Sequence, residues 1–244
     1  MDFDECVLWY CFLMIGKILK SFISPGPKGL IQLYGLENWY LSLDADTREK
    51  VKSYYSLGMG CDPKRVDQGD LVSFNPIYKG CQNFLSNVGA NAISKDPSFA
   101  EMVLLKALSS QDDNPLNRHF VYNHLIDLLY KQRDKRPDAI DLCIKYCLED
   151  IQGIEPFKVA YIKEYEGIPG NLIASGYKSQ KDRYEVKLPS IPSFDRLRII
   201  YEKQGRFREA IQVCSKAIEV EAWDIEAGND QITKLMKKMK KAES

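Results

Sequence analysis

Histidine is scarce in this 244-residue chain: there are two, His119 and His124. They stand five apart on one expected helix and do not share a face, whereas a helical zinc pair needs steps of three or four. Both are expected at the solvent or at the edge of the core. Charge imbalance is missing too. Acidic and basic residues number 34 each, which removes any bulk-charge argument for nucleic acid or an acidic partner. No apolar run reaches the roughly 20 residues of a membrane-spanning helix. There is no phosphate loop, dinucleotide glycine pattern or nucleophile elbow; Gly58-Met59-Gly60 stands alone and reads as a turn. With no convergent polar set, neither catalysis nor a cofactor nor a metal is expected.

Seven cysteines are an odd number, scattered through a chain too long for a small disulfide scaffold. Reduced thiols and a cytoplasmic location are expected. Cys143 and Cys147 lie one helical turn apart with no second pair at zinc-site spacing, and read as core thiols. A hydrophobic content of 45% fits a folded protein, as one elongated domain or two compact ones. Near the N-terminus, Cys6–Ile15 (CVLWYCFLMI) is a short apolar run followed by Lys17 and Lys20. The acidic start MDFDE lacks the positive charge of a secretory signal, and no small-residue cleavage site follows. Two readings of residues 6–23 stay open. One is a hydrophobic helix packed on the domain or a partner; the other lies in a membrane interface, with Trp9 and Tyr10 at headgroup depth.

Ser24-Pro25-Gly26-Pro27 is a strong breaker and divides an apolar N-terminal helix (1–24) from a helical and loop region (25–80). Leu36–Leu43 reads as a short helix presenting Trp39, Tyr40 and Leu43. Asp46-Thr47-Arg48-Glu49 matches a capping box that would open a helix from Thr47 to about Ser56. Residues 58–80 read as a loop, in which Leu71-Val72-Ser73-Phe74 has the look of a short strand.

The remainder, 81–244, is expected to be one helical domain. Phe84, Leu85, Val88 and Ala92 share a face, and a second capping box at Ser98–Glu101 would open a helix through Val103, Leu104 and Ala107. Asn114-Pro115 starts the next helix, with Phe120, His124, Leu125, Leu128 and Leu129 as its apolar face. Pro137 begins another through Ala139, Cys143, Tyr146 and Cys147. Tyr130 precedes Ala139 by nine residues, as Tyr201 precedes Ala210, and Ala139–Cys143 repeats as Ala210–Cys214. The 71-residue offset is close to twice the roughly 34-residue period of a helix-turn-helix repeat. A further helical pair is therefore expected in 152–191. That stretch keeps a helix at Phe157–Tyr165, and its later glycines and prolines break the pattern, so the unit is degenerate or replaced by a long loop. Tyr177, Lys178, Lys181 and Arg183 read there as a solvated loop. At the end, Ile232, Leu235, Met236 and Met239 form the inner face of a capping helix, with lysines outward.

On these residues the chain from about 80 to 241 resembles tetratricopeptide-repeat proteins. Phe194, Leu197 and Tyr201 fall at the apolar positions of that family's first helix. Gly205, Phe207, Ala210, Ala217 and Ile218 match its turn and second helix. Arg198 stands where the family has glycine, and Ala222 where it has proline. Pro192–Ile218 is also similar to a stretch of uncharacterised bacterial proteins. The resemblance implies an all-α fold of antiparallel helix hairpins stacked as a short right-handed solenoid with a C-terminal capping helix. It also implies a concave face that binds a protein or peptide. That face would be lined by His124, Lys131, Asp195, Ile199, Glu202 and Lys203. The set does not match the lysine–asparagine clamp by which some relatives hold a C-terminal carboxylate. A non-catalytic binding scaffold is expected. The alternatives are a membrane-associated adaptor docked through residues 6–23 and an enzyme with its site in the N-terminal region.

Overall fold

A computed structural model of the protein describes residues 26–59, 61–69, 80–112, 114–166 and 188–243. The apolar run 6–23, the strand-like 71–74 and the basic loop around Lys178 lie outside these residues. What is described is all-helical, with eleven α-helices and no strand. The chain divides into two compact units, Met1–Asn75 and Pro76–Ser244.

In the first unit α1 (Gly29–Leu33), α2 (Glu37–Ser42) and α3 (Ala45–Met59) are followed by a 3-10 turn at Pro63–Arg65. Leu30, Ile31, Tyr40, Val51, Tyr55 and Val66 form its core. Asp67 ties it together, accepting from Tyr40 Oη at 2.9 Å and pairing with Lys52 Nζ at 2.8 Å. The cap of α3 differs from the expected one. Asp44, not Asp46, accepts from the Thr47 amide at 2.7 Å, so the helix starts at Ala45 and runs past Ser56 to Met59. Glu49 turns to Lys52 instead of reaching back to the cap.

The second unit contains α4 (Cys81–Ala92), α5 (Pro97–Ser109), α6 (Pro115–Lys131), α7 (Ala139–Gln152), α8 (Ile154–Glu166), α9 (Pro192–Lys203), α10 (Phe207–Glu219) and α11 (Ile225–Glu243). Pairs α4/α5, α6/α7 and α9/α10 pack as hairpins. The first helix of each later pair rests on both helices of the pair before it: α6 on α4 and α5, α9 on α6 and α7. α11 covers α10.

Local chemistry sets these boundaries. Pro97 and Pro115 occupy first-turn positions where the missing N–H costs nothing. The cap of α5 is Asp96, which accepts from the Phe99 amide at 3.2 Å. It takes the place expected for Ser98, and the expected partner Glu101 reaches Arg136 at 2.6 Å. Between α9 and α10, Gly205 takes a φ of +72°, and the Arg206 amide closes back on Tyr201 O at 2.8 Å, a C-cap that a β-carbon would strain.

The small-residue seams are where the spacing puts them. Ala100, Leu104, Ala107, Ala139, Cys143, Ala210, Cys214 and Ala217 are all fully buried. Two glycines extend the same logic to the partner helices. A β-carbon on Gly89 would sit 2.6 Å from Leu104 Cγ, and one on Gly228 would sit 2.5 Å from Ile218 Cγ1. These contacts permit close helix approach between α4 and α5 and between α10 and α11.

Three expectations change. The 71-residue offset does not span two stacking steps, since α9 packs directly on α6 and α7. Within 152–191 the described residues hold α8, which packs on α6 and α7 through buried Ile154 and Phe157. The 71-residue offset is thus one stacking step plus an insertion. Phe120 is 41% exposed; α6 packs against α4, α5, α7, α8 and α9. Its buried surface therefore takes in Leu116, His119, Val121, Tyr122 and Ile126, and leaves Phe120 outside. On α11 Leu235 and Gly228 are buried, whereas Met236 is exposed, because this helix has a neighbour on one side and offers a narrow inner face.

Candidate functional site

Two polar constellations stand out in the second unit. One is sealed in the core. Asp150 on α7 accepts from His119 Nδ1 on α6 at 2.7 Å and from the hydroxyl of Ser193 on α9. Asn123, one turn along α6, donates through Nδ2 to His119 Nε2 at 3.0 Å. The Phe157 ring of α8 lies over the imidazole, 4.0 Å between centroids. His119, Asp150 and Ser193 are each at most 3% exposed, so His119 is a core residue and not the surface or edge histidine expected. The order of contacts is serine to aspartate to histidine. Ser193 donates to the carboxylate and not to the imidazole, so the contacts do not follow the serine–histidine–aspartate order of a nucleophilic triad. The group joins three helices across the 154–191 insertion.

The second constellation is at the surface, where the C-terminal end of α6 meets α9 around Tyr130, with Arg196 in the first half of α9 and Lys203 at its end. Arg196 stacks its guanidinium on the Tyr130 ring, 3.6 Å from the centroid, and Arg133 approaches at 4.6 Å. Lys203 Nζ donates to Tyr130 Oη at 3.3 Å. Burial alone would raise the Tyr130 phenol. Hydrogen bonding and charge from Lys203 and Arg196 outweigh it and hold the group below its ordinary range. Two neighbouring cations have carboxylate partners: Lys131 with Asp127 at 2.7 Å and Arg133 with Asp134 at 3.4 Å. Arg196 and Lys203 have none among the described residues.

The six residues expected on a binding face are divided by the structure. Lys203 reaches the α6 end, and Lys131 follows Tyr130 in sequence at the exposed end of that helix. Glu202 instead accepts from Arg198 at 3.0 Å and from Lys238 of α11. Asp195 lines a recess of about 320 Å³ with Trp223, Asp224 and Gln231. Both therefore belong to the α11 side. Ile199 is partly buried on α9, and His124 is partly buried on α6, where desolvation holds its imidazole below the ordinary value. Tyr130, Arg133 and Arg196 were not among the expected site residues. Arg196 lies seven residues before Lys203, two turns along one helix face, and that spacing was a readable signal.

Other candidates hold little. In the first unit an open recess of about 530 Å³ is lined by Glu49, Lys52, Ser53, Ser56, Leu57 and Pro63. Its Ser56 hydroxyl donates to Cys61 O at 2.8 Å, and Lys52 is held between Glu49 and Asp67. Cys81, Cys143, Cys147 and Cys214 are buried free thiols, and Cys143 Sγ donates to Ile126 O across the α6–α7 seam at 3.7 Å. The hydrogen bond from Cys147, then the charge of Arg196, keep Cys143 below the usual thiol range, while that same bond and burial push Cys147 up. Among the described residues no three His, Cys, Asp or Glu side chains cluster as metal ligands, and no helix is long and apolar enough to cross a membrane.

Comparison with known proteins adds kinship without an activity. No protein-family profile matches the chain, and no solved structure does. Over 207 residues it is 27% identical to an uncharacterised protein of Aquifex aeolicus (strain VF5), covering 82% of this chain and 87% of that protein.

Proposed function

We propose that this chain is a non-catalytic scaffold, a short tetratricopeptide-like right-handed solenoid whose surface binds a peptide or protein partner. The observation that carries the reading is the Tyr130 junction. There, two adjacent first helices present an aromatic ring and two cations that have no carboxylate partner among the described residues, at a partly exposed edge. The buried histidine–aspartate group, by contrast, is closed under Phe157. The stacked hairpins support the repeat reading, since one hairpin cannot bury its apolar face alone and successive ones do so for each other. The binding face proposed here is narrower than the six-residue set, because Asp195 and Glu202 turn toward α11.

The test is affinity capture from the native host with the full chain as bait, alongside Lys131→Glu/Lys203→Glu. The proposal expects a discrete partner that the double variant loses. An identical set of captured proteins with both baits would refute this face.

A further inference from the structure

The charges around Tyr130 do not close on themselves. Three cations approach its ring, Arg196, Arg133 and Lys203, and one of them is matched, Arg133 by Asp134. Among the described residues Arg196 and Lys203 are left with the π-face and oxygen of one tyrosine as compensation. Arg196 Nε is buried and has no acceptor. The phenol oxygen accepts from Lys203, and its own proton meets no acceptor among the described residues. Donors from three side chains thus lie about one ring: the phenol O–H, the remaining ammonium hydrogens of Lys203 at its oxygen and the N–H groups of Arg196 over its face.

Charge and donor count select among anions. Two uncompensated positive charges match a dianion better than a single carboxylate. Three donor groups approaching from two helices suit a tetrahedral group with three terminal oxygens better than a planar one with two. Stacking on Tyr130 also fixes the Arg196 plane before a ligand arrives, which lowers the entropy lost on binding. We propose that the Tyr130 junction binds a phosphate monoester dianion carried by the peptide partner; the inference rests on the scaffold reading above. Arg196 and Lys203 supply the charge, and Tyr130 orients both and donates its own hydrogen.

Calorimetric titration of the full chain tests this with four probes: inorganic phosphate, a Gly-phosphoserine-Gly tripeptide, the same tripeptide unphosphorylated, and its glutamate counterpart. The phosphorylated tripeptide should bind at least about tenfold tighter than the glutamate one, the scale of one charge-assisted hydrogen bond. Lys203→Gln, at an exposed position, and Arg196→Gln should each weaken it by about tenfold or more. Thermal unfolding of each variant confirms that the fold is intact, and Lys203→Gln carries the test if Arg196→Gln does not fold. Equal affinity for the glutamate peptide would overturn the dianion assignment. Inorganic phosphate binding as tightly as the phosphopeptide would overturn the partner-borne source. No binding of any probe, with capture of a partner still lost in Lys131→Glu/Lys203→Glu, would overturn the phosphate site alone. Phosphopeptide binding without any captured partner would support the site and count against the scaffold reading.

Discussion

Replacing Asp150 with alanine probes the joint that holds the stack together across its insertion. The carboxylate is 3% exposed and serves two donors, His119 Nδ1 at 2.7 Å and the Ser193 hydroxyl. Alanine would leave both donors buried without an acceptor, at about 1–3 kcal/mol each, so a loss of about 4 kcal/mol is expected. With a urea dependence of about 2 kcal/mol per molar, typical of a small domain, the unfolding midpoint should fall by about 2 M. Trp223 fluorescence, in a Trp9→Phe/Trp39→Phe background, follows this unit alone. Adding His119→Ala to Asp150→Ala should cost less than the two separate losses summed, because the second removes a donor already orphaned. A loss below about 1 kcal/mol for Asp150→Ala would refute the claim that this group pins α9 to α6 and α7.

Three further outcomes follow from particular contacts. Gly89→Ala forces a β-carbon to 2.6 Å from Leu104 Cγ, so α4 and α5 must separate; about 1–3 kcal/mol of stability should be lost by urea unfolding. Gly80 has a φ of +130°, and a β-carbon there would lie 2.2 Å from Asp112 Oδ2. Asp112 receives the Gln82 amide at 3.1 Å. Gly80→Ala should therefore loosen the start of α4, seen as faster amide exchange at residues 81–85. His124 supplies a pH dependence: burial lowers its pKa, against a smaller opposing pull from Asp127. The folded state then binds the proton less readily than the unfolded one. Stability should fall as pH drops through the ordinary value of 6.5 and level off below the folded value. His124→Gln should flatten that slope in thermal unfolding between pH 7 and 5.

The seams were legible because small residues at steps of three and four leave a periodic mark on each helix. Ala139, Cys143, Ala210 and Cys214 needed no knowledge of what lay opposite. The caps were readable in kind but misplaced: Asp44 and Asp96 each stand two residues before the better-looking box, and Pro97 favours the earlier start. The buried group was harder, because Asp150 lies 31 residues from His119 and 43 from Ser193. One local sign existed. Asp150 continues the Cys143–Cys147 face at the next helical step, and a carboxylate on a buried face calls for a buried donor. The insertion misled the repeat count, since 71 residues resembles two periods. The Tyr130 junction depends on which hairpin α9 meets, and that follows from the packing of α9 on α6 and α7, not from any single helix.

The scaffold reading is tested most directly by hydrogen–deuterium exchange of the full chain, alone and with the protein it captures from its host. Slower exchange should concentrate in 128–135 and 194–206, the parts of α6 and α9 around Tyr130, and should vanish in Lys131→Glu/Lys203→Glu. Protection confined to other segments, unchanged in that variant, would contradict it.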